Sequence, residues 1–219
     1  MNKIILDNQQ YPGTLIVFCG VDGSGKSTMM KYLIDYLSTF MPEDRLLITK
    51  QPRDIVRNMD IFKTMMYTKN PNIDYRAVVL LTLSERLQHC HEEIIPALKE
   101  GRIVISDRYI FTTIANMLAR GYTDESWFFD VIRHMPKPDL AFLANAAPDL
   151  AIERILSREE EKDRYLDKEL LRKVAGNYLS IGKEADFTVL DTGCEPEKPF
   201  AAVKEKVDAV LKAKNFIGL

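Results

Sequence analysis

Cysteine is scarce in this chain. Cys19, Cys90 and Cys194 are three in number, widely separated, and too few and too odd for a disulfide framework, which fits a reducing compartment. Histidine is equally sparse, and His89 and His91, at i and i+2, fall on different faces of a helix, which excludes them as paired metal ligands. Charge of one sign is not in excess either: 30 Lys and Arg against 32 Asp and Glu give a net charge of −2. No general field therefore draws nucleic acid or an anionic membrane, and any anion must be held by a local site. Long apolar runs are missing as well. Residues 15–19 and 103–105 are strand-sized, far short of the roughly 20 residues of a membrane helix. The first ten residues carry Asp7, Asn8, Gln9 and Gln10 where a signal peptide needs its apolar segment, so a cytoplasmic location is expected. With no repeat, low-complexity tract or linker in 219 residues, one domain over 1–219 is expected.

What is present is an alternation of buried strands and amphipathic helices. Residues 14–19 are apolar after Thr14, as a strand covered on both faces should be. A glycine-rich break follows, and residues 27–40 resume with Met30, Leu33, Ile34 and Leu37 at helical spacing. Short strands are predicted at 46–49, 103–106, 139–143 and 187–190. A long helix or helix pair is predicted from Asp74 toward Leu98, kinked at Pro96 and stopped by Gly101. Such alternation implies right-handed crossovers and a parallel sheet with helices on both faces.

The break between the first strand and helix reads Gly20-Val21-Asp22-Gly23-Ser24-Gly25-Lys26-Ser27, which satisfies G-x-x-x-x-G-K-[ST] in the strand-to-helix context that the pattern requires. Its glycines let successive N–H groups turn toward phosphate oxygens, and the helix N-terminus adds partial positive charge. Gly20, Asp22, Gly23, Ser24, Gly25, Lys26, Ser27 and Thr28 are the candidate cradle for ATP. Within it Lys26 is expected on the β- and γ-phosphates and Ser27 on Mg²⁺. The fold class that follows is α/β: a P-loop NTPase three-layer fold with a five-stranded parallel sheet.

A P-loop does not name its acceptor. The third predicted strand, however, ends in Asp107-Arg108-Tyr109, at the sheet edge where α/β proteins gather ligands. Asp107 is a second candidate for Mg²⁺, and the Arg108 fork suits an acceptor phosphate. From about Gly13 to Asp191 the sequence then resembles the thymidylate kinase family. The P-loop, Thr49-Lys50-Gln51-Pro52, the stretch 80–106 containing Arg86, Ile95-Pro96-Ala97-Leu98 and Gly101, the Asp-Arg-Tyr motif and Pro138-Asp139-Leu140 recur in the family's order. The resemblance implies an ATP-dependent kinase of a nucleoside monophosphate, dTMP to dTDP. It implies a short lid at about 157–165, with Arg158, Lys162 and Arg164 as the candidate cations on the transferring phosphoryl group, and a homodimer. It places Arg86 and Arg108 on the acceptor phosphate, Asp22 on the acceptor sugar, and Lys50, Thr112, Thr113 and Asn116 among the substrate contacts.

The sequence departs from the family at the acceptor side. Thr82 stands where a phenylalanine usually stacks on thymine, Asn116 where an aromatic meets the deoxyribose, and Lys50-Gln51 where the family has Arg-Glu. Phe62, Tyr67 and Tyr109 are the aromatics that could compensate for Thr82. Two other readings share the P-loop: a kinase of a nucleoside or other hydroxyl acceptor, which would need a glutamate base near Gln51, and a nucleotide switch, for which no Asn-Lys-x-Asp motif is present.

Overall fold

Every residue of Thr14–Cys19 is buried, and this strand becomes the middle of the sheet. A computed structural model describes residues 3–159 and 165–216. In chain order the elements are Thr14–Cys19 (β1), Lys26–Leu37 (α1), Leu46–Lys50 (β2), Asp54–Arg57 (α2), Asp60–Tyr67 (α3), Tyr75–His89 (α4), Ile95–Lys99 (α5), Ile103–Asp107 (β3), Ile110–Ala119 (α6), Ser126–Ile132 (α7), Leu140–Asn145 (β4), Pro148–Leu156 (α8), Lys168–Glu184 (α9), Thr188–Asp191 (β5) and Glu197–Ala213 (α10). The sheet order is β2-β3-β1-β4-β5, and every pairing is parallel.

Alternation along β1 divides the core. Leu15, Val17 and Cys19 join a cluster with residues of α4, α6 and α9, while Ile16 and Phe18 face α1 and α10 on the other side. This period of two is what a sheet covered on both faces requires. The register pairs Phe18 with Asp107 and Lys50 with Asp107, so the C-terminal ends of β1, β2 and β3 finish together beside the P-loop.

Several expectations are displaced: the strand predicted at 187–190 lies at Thr188–Asp191. The strand predicted at 139–143 starts one residue later: at Asp139 the backbone N–H donates to Leu15 O at 2.9 Å, but Leu15 N is met by the Asp139 carboxylate at 2.8 Å in place of a strand carbonyl. The kink expected at Pro96 lies instead in a π-helical turn at Cys90–Ile94, with Pro96 in the first turn of α5. A proline has no N–H and its ring crowds the carbonyl four residues back, so widening the preceding turn lets the helix pass without a sharp break. On α4, Leu83 is in the core and Leu80 is 55% exposed. Among the described residues no helix is long and apolar enough to cross a membrane.

Candidate active site

The loop after β1 needs its glycines for two separate reasons. Gly20, Gly23 and Gly25 have φ of 135°, 75° and 88°, where a side chain is rarely tolerated. A Cβ on Gly23 would also stand 2.2 Å from the Ala151 carbonyl oxygen of α8. The helix packs so closely that no side chain fits there. Arg154, one turn along α8, donates from outside the loop to the carbonyls of Gly23 at 3.4 Å and Thr192 at 3.0 Å. Sequence reasoning missed Arg154, and no local signal marks it, because its reach to the loop depends on how α8 docks.

Lys26 is 6% exposed and donates to the Val21 carbonyl at 2.8 Å. Burial, with Arg108 acting in the same direction, pulls its ammonium down to about 8 despite Asp22 and Asp107 nearby. Ser27 and Thr28 are exposed on the first turn of α1. On this side a cavity of ≈350 Å³ is lined by Gly23, Gly25, Thr28, Arg154, Arg158 and Thr192, with Cys194 at its edge. Arg158 thus lines the same cavity as Gly23 and Gly25 of the P-loop. Arg164 and Lys162, the other expected lid cations, lie outside the described residues.

Across the P-loop a second cleft of ≈150 Å³ opens between α3, α4, α6 and α9. Arg108 reaches it from a strained position, since its φ of 68° lies in the left-handed region that arginine seldom visits. The strain is held by three contacts: Arg108 N to Phe18 O at 2.9 Å, Nη1 to Gly20 O at 3.0 Å and Nη2 to Asp22 Oδ1 at 2.5 Å. Burial opposes the charge of Arg108, but Asp22, Tyr178 and Asp107 outweigh it and raise its pKa above the ordinary arginine value. Asp22 is thereby committed to Arg108 as well as being a candidate sugar contact.

Arg86 is the deepest cation of the cleft, 1% exposed. Its Nη1 donates to Gln51 Oε1 at 3.0 Å, and its Nε has no hydrogen-bond partner among the described residues. Burial draws it down to about 10. Thr112, Thr113 and Asn116 also line this cleft, but Lys50 does not: its ammonium pairs with Asp54 at 2.7 Å, one helical turn along the chain. Lys50 sits at the end of an edge strand, and there the nearest carboxylate is on the outside.

Two further arginines were missed. Arg57, on the short α2, lines the cleft and donates to Pro52 O at 2.7 Å; burial and then Arg108 lower its pKa. Arg120 is four residues beyond Asn116, so the helical period could have revealed it. It donates to Asn116 Oδ1 at 3.0 Å, and its guanidinium lies 4.5 Å from the Tyr75 ring centroid. Of the aromatics considered in place of the missing phenylalanine, Phe62 and Tyr67 line the cleft, whereas Tyr109 is wholly buried and donates to Pro136 O at 2.9 Å. Thr82 turns its hydroxyl back to Val79 O at 3.0 Å, presenting no platform.

Two clefts meeting at one P-loop, each with its own arginines, can hold two phosphorylated molecules end to end. Comparisons with known proteins agree. The thymidylate kinase family profile matches residues 18–205. A probable thymidylate kinase of Pyrococcus horikoshii is 35% identical over 179 residues, covering 78% of this chain and 83% of the relative. Another, of Pyrobaculum aerophilum, is 36% identical over 199 residues, covering 89% and 96%. The crystal structure of thymidylate kinase from Ehrlichia chaffeensis superposes with a TM-score of 0.69 over 90% of this chain and 98% of its own, at 24% identity, which supports the fold. The P-loop with its strand and helix, the Asp-Arg-Tyr at the end of β3 and matches spanning most of the chain agree that this protein belongs to the thymidylate kinase family, and so is a nucleoside monophosphate kinase.

Proposed function

We propose that the chain transfers the γ-phosphoryl group of ATP to the 5′-phosphate of a pyrimidine nucleoside monophosphate, dTMP to dTDP in the first instance. The observation that carries this is the cluster of Arg57, Arg86 and Arg108 around one cleft on the far side of the P-loop from Arg154 and Arg158. A hydroxyl acceptor would need a base, whereas a dianionic phosphate needs cations to face another anion. In the reaction an acceptor phosphate oxygen attacks the γ-phosphorus. The bond to the β–γ bridging oxygen breaks, and ADP leaves with that electron pair. Lys26 neutralises the phosphate oxygens, Arg108 holds the acceptor in line, and Arg158 supplies charge from the lid side.

A divalent cation fits the same site. Asp107 Oδ1 and Ser24 Oγ are buried with no hydrogen-bond partner among the described residues, and dry oxygens of this kind suit a cation. Asp107 and Ser27 would hold Mg²⁺, which when bound offsets the charge between the β- and γ-phosphates. The homodimer belongs to the same reading, with exposed Leu80 on α4 available to a second copy.

A panel of dTMP, dUMP, UMP and CMP assayed with ATP and Mg²⁺ tests the function. Turnover should require the 5′-phosphate. With Thr82 offering no stacking surface and Asn116 and Arg120 offering polar groups, discrimination among these pyrimidines should be shallow. Base stacking on an aromatic contributes about 1–3 kcal/mol in nucleic-acid binders, so its loss removes much of the selectivity. An exclusive preference for dTMP would overturn the relaxed-specificity half of this prediction, and turnover of unphosphorylated nucleosides would overturn the reading.

Lys26 adds a pH signature. In the empty protein its ammonium loses its proton at about 8, and a bound polyphosphate favours the charged form, so nucleotide binding above that pH should take up a proton. Calorimetric titration with a non-hydrolysable ATP analogue at pH 9, where the nucleotide phosphates are already ionised, in two buffers of different ionisation heat, should give enthalpies that diverge. Equal enthalpies in both buffers at pH 9 would contradict the assignment.

A further inference from the structure

Behind the arginine cleft a run of buried polar side chains leads away from Arg86 into the core. Arg86, Gln51 and His89 are 1%, 0% and 0% exposed, so water cannot replace any link between them. Arg86 can only donate, which fixes the Gln51 amide with Oε1 toward Arg86 Nη1, at 3.0 Å. Gln51 Nε2 then faces His89 Nδ1 at 3.2 Å, and Cys90 Sγ at 3.8 Å. His89 Nδ1 must accept, so its proton sits on Nε2, which lies 3.0 Å from Thr49 Oγ1 with Glu93 Oε2 beyond at 3.5 Å. The arrangement has one consistent direction.

We propose that His89 is a positioning residue for the acceptor: through the Gln51 amide, its unprotonated Nδ1 fixes the Arg86 guanidinium in the cleft. The inference rests on the reading of that cleft as the acceptor site. A proton on Nδ1 would set donor against donor at Gln51 Nε2. Rotating the amide to relieve that clash turns Nε2 on the Arg86 guanidinium, again donor against donor. Arg86 therefore keeps its anchor only while His89 is neutral. The groups around the imidazole are consistent with that state. Burial lowers its pKa from the ordinary histidine value; Glu93 opposes this, Arg53 reinforces it and Glu85 opposes it more weakly. Arg53 in turn is held by Glu85 at 2.7 Å, Glu93 at 2.6 Å and Glu92 at 3.3 Å, so the neighbouring carboxylates are largely spent on that guanidinium.

The test compares wild type, His89→Leu and His89→Asn, with dTMP and ATP as the varied substrates. His89→Leu leaves Gln51 Nε2 only the weak Cys90 Sγ acceptor and should raise the dTMP KM roughly five- to tenfold, with the ATP KM and kcat held within about twofold. His89→Asn offers Oδ1 close to the place of Nδ1 and should restore the dTMP KM. As the pH falls below 7 the ratio of the wild-type dTMP KM to that of His89→Asn should climb once wild type gains the imidazole proton, which burial holds off to below the ordinary histidine range. The second ionisation of the acceptor phosphate, near pH 6, is common to both and cancels. An asparagine variant as impaired as leucine, a ratio that stays flat with pH, or equal rises in both KM values would overturn the proposal. If His89→Leu does not fold, the wild-type to asparagine ratio alone decides. Arg86→Lys separates the two levels of inference. An unchanged dTMP KM there sinks the acceptor reading together with the relay, whereas a raised KM beside a normal His89→Leu sinks the relay only.

Discussion

Lys26→Ala should reduce kcat on the order of 10²–10³-fold while leaving the protein at least as stable as before. The first half follows from chemistry: an ammonium on the β- and γ-phosphates gains most when charge shifts toward the leaving ADP, and its loss falls on the transition state at about 1.4 kcal/mol per decade. The second half follows from the surroundings. Lys26 is 6% exposed and holds one carbonyl, Val21 O, so in the empty protein it is a desolvated charge with little return. Thermal unfolding of the apo variant should therefore show an unchanged or raised Tm, and a stabilising response to ATP that shrinks relative to wild type. A folded Lys26→Ala protein with near-wild-type turnover would remove the P-loop from the catalytic centre.

The second large effect is expected at Arg108. Its guanidinium spans from the P-loop to the acceptor cleft, and losing a charge-assisted hydrogen bond in such a site costs about 1.5–3 kcal/mol, so Arg108→Ala should lower kcat/KM for the monophosphate at least tenfold. The contacts to Gly20 O and Asp22 also brace the loop, but the loop is held independently: Thr192 Oγ1 donates to Ser24 O at 2.6 Å, and Arg154 holds Gly23 O. ATP affinity, measured with an unreactive analogue, should accordingly change far less than acceptor affinity. Arg108→Lys should recover only part of the loss, since an ammonium cannot reach Gly20 O and Asp22 as a planar fork does. If Arg108→Ala weakened ATP binding and spared the acceptor, the two clefts would be assigned the wrong way round.

The P-loop was legible from the chain because its requirements are local. Gly20, Gly23 and Gly25 take backbone angles that only the sequence position sets, and Lys26 and Ser27 follow on the same turn. The Asp-Arg-Tyr was legible for a related reason: β3 is short and continuous, so its last residue must stand at the sheet edge. Thr112, Thr113 and Asn116 follow one helical face of α6 and reached the cleft together.

By itself, then, the sequence determined the five strands to within a residue or two, the burial of β1 and β3, and the glycine loop after β1, since periodicity, glycine geometry and strand ends act within about a dozen residues. Only the tertiary structure decided which cations face which substrate. Lys50 and Arg57 are seven residues apart, yet the edge of β2 sends the first to Asp54 and the turn into α2 sends the second into the cleft. Arg154 meets Gly23 across 131 residues, Arg86 meets Gln51 across 35 and His89 meets Gln51 across 38. Those meetings depend on how helices dock on the sheet, a property of the packed core that no local pattern in the chain encodes.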